Sequence, residues 1–258
     1  MATATLIAAN GARRVTRDEL FNVHPPSPSR THYPIPHASV VEVCEHTLVD
    51  AGYHIKTAEY ALSQADQQMF STYTLTTTLV EGVCVLAVGL RSSYNKTLPL
   101  GLVAGTRVLV CSNLSFRADL INVRRLHTKF ASQRFSQDII GAVRMLPSFQ
   151  DTESQRIQVL KQTLLSDDQA DAFLLRACID HNIVPMRQLL KLAHEWREPT
   201  HDEFRERTAW SLFNAVTTVL GNRHDRNPNE HAHRTMRLNR LLLPSAPSHT
   251  LSVDHNSE

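Results

Sequence analysis

The sequence predicts an α+β fold: an antiparallel β-meander with flanking helices, followed by a helical C-terminal region. Three observations carry this. Two apolar runs, residues 83–90 (VCVLAVGL) and 100–111 (LGLVAGTRVLVC), bracket the polar cluster 92–97 (SSYNKT) and read as strands joined by a turn longer than two residues. Alternating segments precede them. Beyond residue 150 the pattern changes to a helical period with repeated helix-start signals.

Residues 1–34 read as a mobile N-terminal arm, docking by a short helical turn around 18–23 with Leu20 and Phe21 as its anchors. Pro25, Pro26, Pro28, Pro34 and Pro36 keep the following link extended. Ser39 and Glu42 have the spacing of a capping box. The helix they open carries Val41, Cys44 and Leu48 on its buried stripe and stops at Gly52. Residues 53–62 are strand-like, 64–68 form a polar turn, and Met69, Tyr73, Leu75 and Leu79 share one face of the next strand. Residues 117–135 read as a helix after the hairpin, because Leu120, Val123, Leu126 and Phe130 recur every three or four positions. Arg117, Arg124, Arg125 and Lys129 then lie on its outer, basic face.

Residues 138–146 are helical up to Pro147, and 151–165 form a helix with Ile157, Leu160 and Leu164 on one stripe. Ser166 to Gln169 is a second capping box, and Pro185 begins a further helix. Thr200 to Glu203 is a third box, opening a long helix with Phe204, Trp210, Phe213, Val216 and Val219 that ends at Gly221. In the last helix, 231–243, Arg234, Arg237 and Arg240 spread over one side and Leu238, Leu241 and Leu242 form the other. The domain plan is an α+β core at 35–148, a helical region at 149–243 packed on it, and a disordered tail at 244–258.

The 258 residues carry 27 Lys+Arg against 25 Asp+Glu, a formal charge of +2. That excludes a uniformly basic nucleic-acid binder, so affinity for a polyanion has to come from local clusters. No apolar run reaches the ~18 residues of a membrane span, and no signal peptide is visible, so a cytoplasmic protein is expected. No P-loop, G-x-S-x-G or H-E-x-x-H pattern is present, so no catalytic residue, metal or cofactor is nominated. His224, His231 and His233, with Asp225 nearby, are the densest histidine group and read as solvated loop residues. Arg91, Asn113 and His127 are the grouping through which an enzymatic site would be built, at the end of the hairpin.

The stretch from residue 89 to 128 resembles the DUF932 family of phage/plasmid-like proteins. The matching residues are Gly89, Arg91, Ser93, Lys96, Gly105, Val110, Cys111, Asn113, Arg125, His127 and Thr128. Trp210, Asn214, Thr217, Arg234, Thr235, Arg237 and Leu238 extend the likeness towards the C-terminus. Ser92 and Asn95 stand where the family often has Asn and Asp, which removes an acidic side chain from the turn. In element order, helix then meander then basic helix, the chain is similar to Rad52-type single-strand annealing proteins. The resemblance implies a mobile-element protein that binds single-stranded DNA and assembles as a homo-oligomer. The nucleic-acid contacts are then expected from Arg91, Lys96, Arg117, Arg124, Arg125, His127, Lys129, Arg234, Arg237 and Arg240. The alternatives are an interaction protein countering host defence and an enzyme using Arg91, Asn113 and His127.

Cys44, Cys84, Cys111 and Cys178 are scattered without a C-x-x-C pair and are expected as free thiols. Thiol titration of freshly purified, denatured, unreduced protein should therefore find all four. A disulfide among them would contradict the reducing setting.

Overall fold

The computed structural model describes residues 13–63, 65–111, 113–128, 130–221 and 228–242. Among them one sheet of six strands runs in the order β1-β2-β3-β4-β5-β6, with every neighbouring pair antiparallel. The strands are β1 (Arg13–Val15), β2 (Ile55–Ser63), β3 (Gln68–Val80), β4 (Cys84–Ser93), β5 (Leu100–Val108) and β6 (Leu114–Arg125). Helices α1 (Arg17–Phe21) and α2 (His37–Asp50) precede β2, and α3 (Ala131–Arg144) follows β6. The remainder is helical: α4 (Leu146–Gln162), α5 (Asp167–Ile179), α6 (Leu189–Arg197), α7 (Ala209–Gly221) and α8 (Pro228–Leu242). This is the expected α+β meander with a helical C-terminal region. Its two additional strands lie at the edges.

One edge corrects the reading of the N-terminal segment. The expected short helical turn with Leu20 as anchor is found, but a strand precedes it: β1 pairs with β2 from Arg13↔Leu62 to Val15↔Tyr60, and Val15, His32 and Ile35 are buried as well. Thr16 and Glu19 make a reciprocal capping box on α1, and Leu20 is fully buried. The other edge corrects the basic helix. Residues 114–125 form a strand, and the helix begins only at Ala131. β6 pairs with β5 from Arg107↔Leu114 to Ala104↔Arg117, then resumes at Val103↔Asn122. The intervening residues, 118–121, form a bulge that breaks the period-2 pattern in the sequence.

One face of the sheet supports the main core. Met69, Tyr73, Leu75, Leu86, Leu100 and Leu102 pack with Val41 and Cys44 of α2, Phe135 of α3, Phe149 of α4 and Val216 of α7 in one continuous cluster that reaches Leu238 of α8. The expected stripes on α2, β3 and α4 are thus found, except that Leu164 lies beyond α4 and is exposed. The opposite face has a smaller cluster: Ala61, Ala87, Leu114 and Phe116 against Ala232 and Met236 of α8. There Gly89 and Gly105 make room for Phe116. A Cβ at either would lie 2.8 or 2.7 Å from its ring atoms.

Two capping boxes expected from sequence are not made. α2 starts after Pro36, three residues before Ser39. Thr200 gives its N–H and hydroxyl to the Glu195 carboxylate at 2.9 and 2.7 Å, and the helix expected from there is only a 3-10 turn at Asp202–Phe204. α7 starts afresh behind Thr208, whose hydroxyl accepts from the Ser211 N–H at 3.2 Å. The Ser166–Gln169 box forms as expected. All four cysteines are free, with Cys44, Cys84 and Cys178 buried and Cys111 half-buried. No helix among the described residues is long and apolar enough to cross a membrane.

Arg117, nominated as a surface cation, is instead part of the core. Its guanidinium meets Glu153 of α4 at 2.7 Å, and the same carboxylate receives Arg156 at 3.1 Å and the Thr106 hydroxyl at 3.2 Å. The Glu153 side chain is only 3% exposed. Replacing Glu153 by Gln leaves two buried guanidiniums without the carboxylate between them. Urea denaturation should show a loss of about 3–5 kcal/mol. Removing Glu230, half-exposed beside Arg234, should cost under about 1 kcal/mol.

Candidate functional site

The hairpin β4–β5 ends in a loop, residues 94–99, that is braced from several sides. The Ser93 hydroxyl donates to the Leu98 carbonyl and accepts from its N–H, at 2.9 and 3.0 Å. Asn95 turns its side-chain carbonyl back onto the Thr97 N–H, 3.2 Å away, and onto the Thr97 hydroxyl. The same hydroxyl accepts from Gln68 at 2.6 Å, and Gln68 in turn accepts from Ser63 at 2.8 Å. Lys96 sits exposed at the tip of this braced turn, with a left-handed backbone at φ 63°.

Beneath the loop lies a buried junction that the sequence did not disclose. Pro34 and Pro36 hold the link before α2 extended and have no N–H of their own. The N–H groups of Tyr33 and Ile35 must therefore find acceptors outside the link. Both find His127: its carbonyl accepts from Tyr33 at 2.9 Å and its Nδ1 from Ile35 at 3.2 Å. Nδ1 as acceptor puts the proton of a neutral ring on Nε2, which lies 3.5 Å from the Ser92 hydroxyl. Burial pulls the His127 pKa down to about 4, and neighbouring His32 pushes it the same way.

Tyr94 is the other centre of the junction. Its N–H donates to the Gln67 carbonyl at 2.7 Å, and its carbonyl accepts from His32 Nε2 at 2.9 Å. Its hydroxyl accepts from the backbone N–H of His37, the first residue of α2, at 2.8 Å. This supplies a capping acceptor that Pro36 cannot. The Tyr94 ring stacks on the His37 ring with centroids 3.8 Å apart and 3° between planes. His32 meets His127 edge-on at 5.4 Å. His37 is fully buried, and burial pulls its pKa down to about 3 against the favourable Asp66 backbone carbonyl. Three segments are locked together here: the proline link with the start of α2, the hairpin loop, and the exit from β6.

Arg91, Lys96, Arg124, Arg125 and His127 all belong to this end of the sheet. Arg91 pairs with Gly101 and Gly101 with Arg124, which aligns the two arginines in one cross-strand row; Arg125 is opposite Leu100. His127 itself is buried in the junction, where it has a structural task, so it is not a surface phosphate contact. Lys129 lies outside the described residues, as do His224 and Asp225. Asn113 is separated from Arg91 and His127 by the length of β5, nine residues, which at ~3.4 Å per step span about 27 Å. Its amide donates to the hydroxyls of Thr217 and Thr218 on α7 at 3.0 and 3.1 Å. The grouping of Arg91, Asn113 and His127 is therefore not a site.

The last helix does not share the cation row either. Arg234 donates to the Ile183 carbonyl at 3.1 Å and pairs with Glu230, and Arg237 donates to the His181 carbonyl at 3.0 Å. Both satisfy carbonyls beyond the end of α5. Arg240 is exposed. His231 is buried and bonded to the Leu114 carbonyl at 2.8 Å, whereas His233 is exposed.

Fold and junction define a class: an α+β protein on a six-stranded antiparallel meander, with a proline link clasped between hairpin loop and β6 exit. The chain belongs to the DUF932 family, a domain of unknown function, whose model matches residues 26–243. No curated protein and no solved structure matches the chain.

Tyr94→Phe removes the acceptor for the His37 N–H and keeps the ring stack. It should cost about 1–3 kcal/mol in denaturant midpoint, with an unchanged slope.

Proposed function

We propose that this protein binds single-stranded nucleic acid, single-stranded DNA in a phage or plasmid setting, through the hairpin end of its sheet. The observation that supports this reading is the cross-strand row Arg91–Gly101–Arg124, with Arg125 one position on and Lys96 on the neighbouring loop. A net charge of +2 gives little general attraction for a polyanion, so a local concentration of cations is what the function needs. The row is also set on paired strands, which hold their spacing better than a free loop. Binding takes place in the cytoplasm. Each copy offers one such cluster, and the protein works as a homo-oligomer that lines several clusters along one strand, as protection or annealing requires.

Fluorescence anisotropy with a labelled oligothymidylate over a salt series tests this. The logarithm of affinity should fall with the logarithm of salt by roughly 0.7 per phosphate neutralised. Replacing Arg91 and Lys96 together by Gln should weaken binding and reduce that slope by about one unit. Arg240→Gln, away from the row, should change neither. A parent protein that shows no salt-dependent binding, or a double variant that binds as well as the parent, would refute the reading. An RNA of matched sequence in the same assay decides the sugar preference, and light scattering decides the assembly.

A further inference from the structure

We propose that His32, His37, His127 and Tyr94 form an acid-opened clasp that positions the loop carrying Lys96, so that nucleic-acid binding is lost on mild acidification. The role in binding rests on the function proposed above; the clasp itself rests on geometry alone. Four hydrogen bonds close it: Tyr33 N–H and Ile35 N–H to His127, His37 N–H to the Tyr94 hydroxyl, and His32 to the Tyr94 carbonyl. Of these, the Ile35 bond uses a ring nitrogen as acceptor, and the buried His37 and His127 rings lie at the centre of the other contacts. His37 is 0% exposed, and the Asp66 backbone carbonyl, the one group that favours a proton on its ring, is outweighed by burial. His127 cannot take a proton on Nδ1 without turning its acceptor towards Ile35 into a second donor.

Besides the Asp66 backbone carbonyl, these rings face His32, Tyr94 and Ser92, none of which carries a negative charge. His32 comes from the link, His127 from the β6 exit, and Tyr94 and Ser92 from the hairpin. The β2–β3 turn offers the Asp66 carbonyl, while the Asp66 carboxylate faces Arg13 at 3.4 Å. His37 and His127 disfavour each other's protonation.

The sign follows from linkage. Closed, His37 and His127 titrate near 3 and 4; released into water they return to about 6.5. The open form therefore takes up protons as pH falls below 6.5, and closure is weakened from there down towards the folded values. From pH 7 to pH 5 each histidine shifts the opening equilibrium by roughly twentyfold, and the two together by roughly four-hundredfold. Opening would release Tyr94, which roots the loop carrying Lys96, from the link and from α2.

Amide hydrogen exchange at pH 7 and pH 5, corrected for intrinsic rates, tests the clasp without any nucleic acid. The amides of Tyr33, Ile35, His37 and Tyr94 report directly, because each donates to another member of the junction or to the adjoining turn. Their opening should rise roughly four-hundredfold in the parent and only about twentyfold in His37→Phe, which keeps a ring to stack on Tyr94 but cannot titrate. No rise, an equal rise in His37→Phe, or an equal rise at β3 amides would overturn the clasp, the last by revealing global unfolding. In the binding arm, the oligothymidylate should be held less well at pH 5 than at pH 7 by the parent, with a smaller difference for His37→Phe. Undiminished binding at pH 5 despite increased exchange overturns the link between clasp and loop. No binding at either pH overturns the nucleic-acid reading and leaves the exchange result standing.

Discussion

The fold depends on how one buried carboxylate is satisfied. Glu153 projects from α4 into the layer between helices and sheet, where an unpaired charge would cost several kcal/mol. It is met by Arg117 from β6, the Thr106 hydroxyl from β5 and Arg156 from its own helix. Arg156 also lies over the Phe213 ring of α7, 5.5 Å from its centroid. This single group therefore fixes the last two strands to the helical region. It anchors β6 immediately before the bulge, and the strand resumes in register with Val103, bringing Arg124 opposite Gly101 and His127 beneath the hairpin loop. The position of the cation row and that of the clasp are both consequences of where Arg117 is held.

Most of the architecture was legible because local signals agreed with their surroundings. The hairpin, the buried face of β3 and the Ser166 capping box lie where pattern and turn chemistry put them. β6 was misread as a helix for a specific reason. Its bulge shifts the apolar positions after residue 117, so that Leu120, Val123 and Leu126 fall at helical spacing although the backbone is extended. The arginines of a supposed helix face thereby become members of a strand, one of them spent on Glu153. Similarly, Thr200 has the sequence of a cap, but Glu195, five residues back, competes for both its donors.

The junction was illegible for a different reason. His32, His37, Tyr94 and His127 come from three segments, and none of their spacings has meaning until the meander brings the hairpin loop beside the β6 exit. The one local trace is the Pro34–Pro36 pair. It implies an extended link whose remaining N–H groups need outside acceptors, without saying which residues supply them. Of the earlier grouping, only His127 lies here, and its role changes from a surface contact to a buried acceptor.

Helix α8 shows the same competition between surface chemistry and backbone demand. An edge strand points the N–H and C=O groups of alternate residues away from its partner. On β6 these include the Leu114 carbonyl and both groups of Phe116, and α8 meets them with side chains. His231 donates to Leu114, Thr235 accepts from the Phe116 N–H at 3.2 Å, and Asn239 donates to the Phe116 carbonyl at 3.0 Å. The match is geometric. Residues four apart share one helix face, so His231, Thr235 and Asn239 converge on Leu114 and Phe116, the last two both on Phe116. That is why polar residues occupy the buried side of α8 while Arg234 and Arg237 turn to the carbonyls beyond α5. Leucine in the stripe would add apolar contact yet orphan the backbone beneath it, and the orphaned groups cost more than a methyl or two returns.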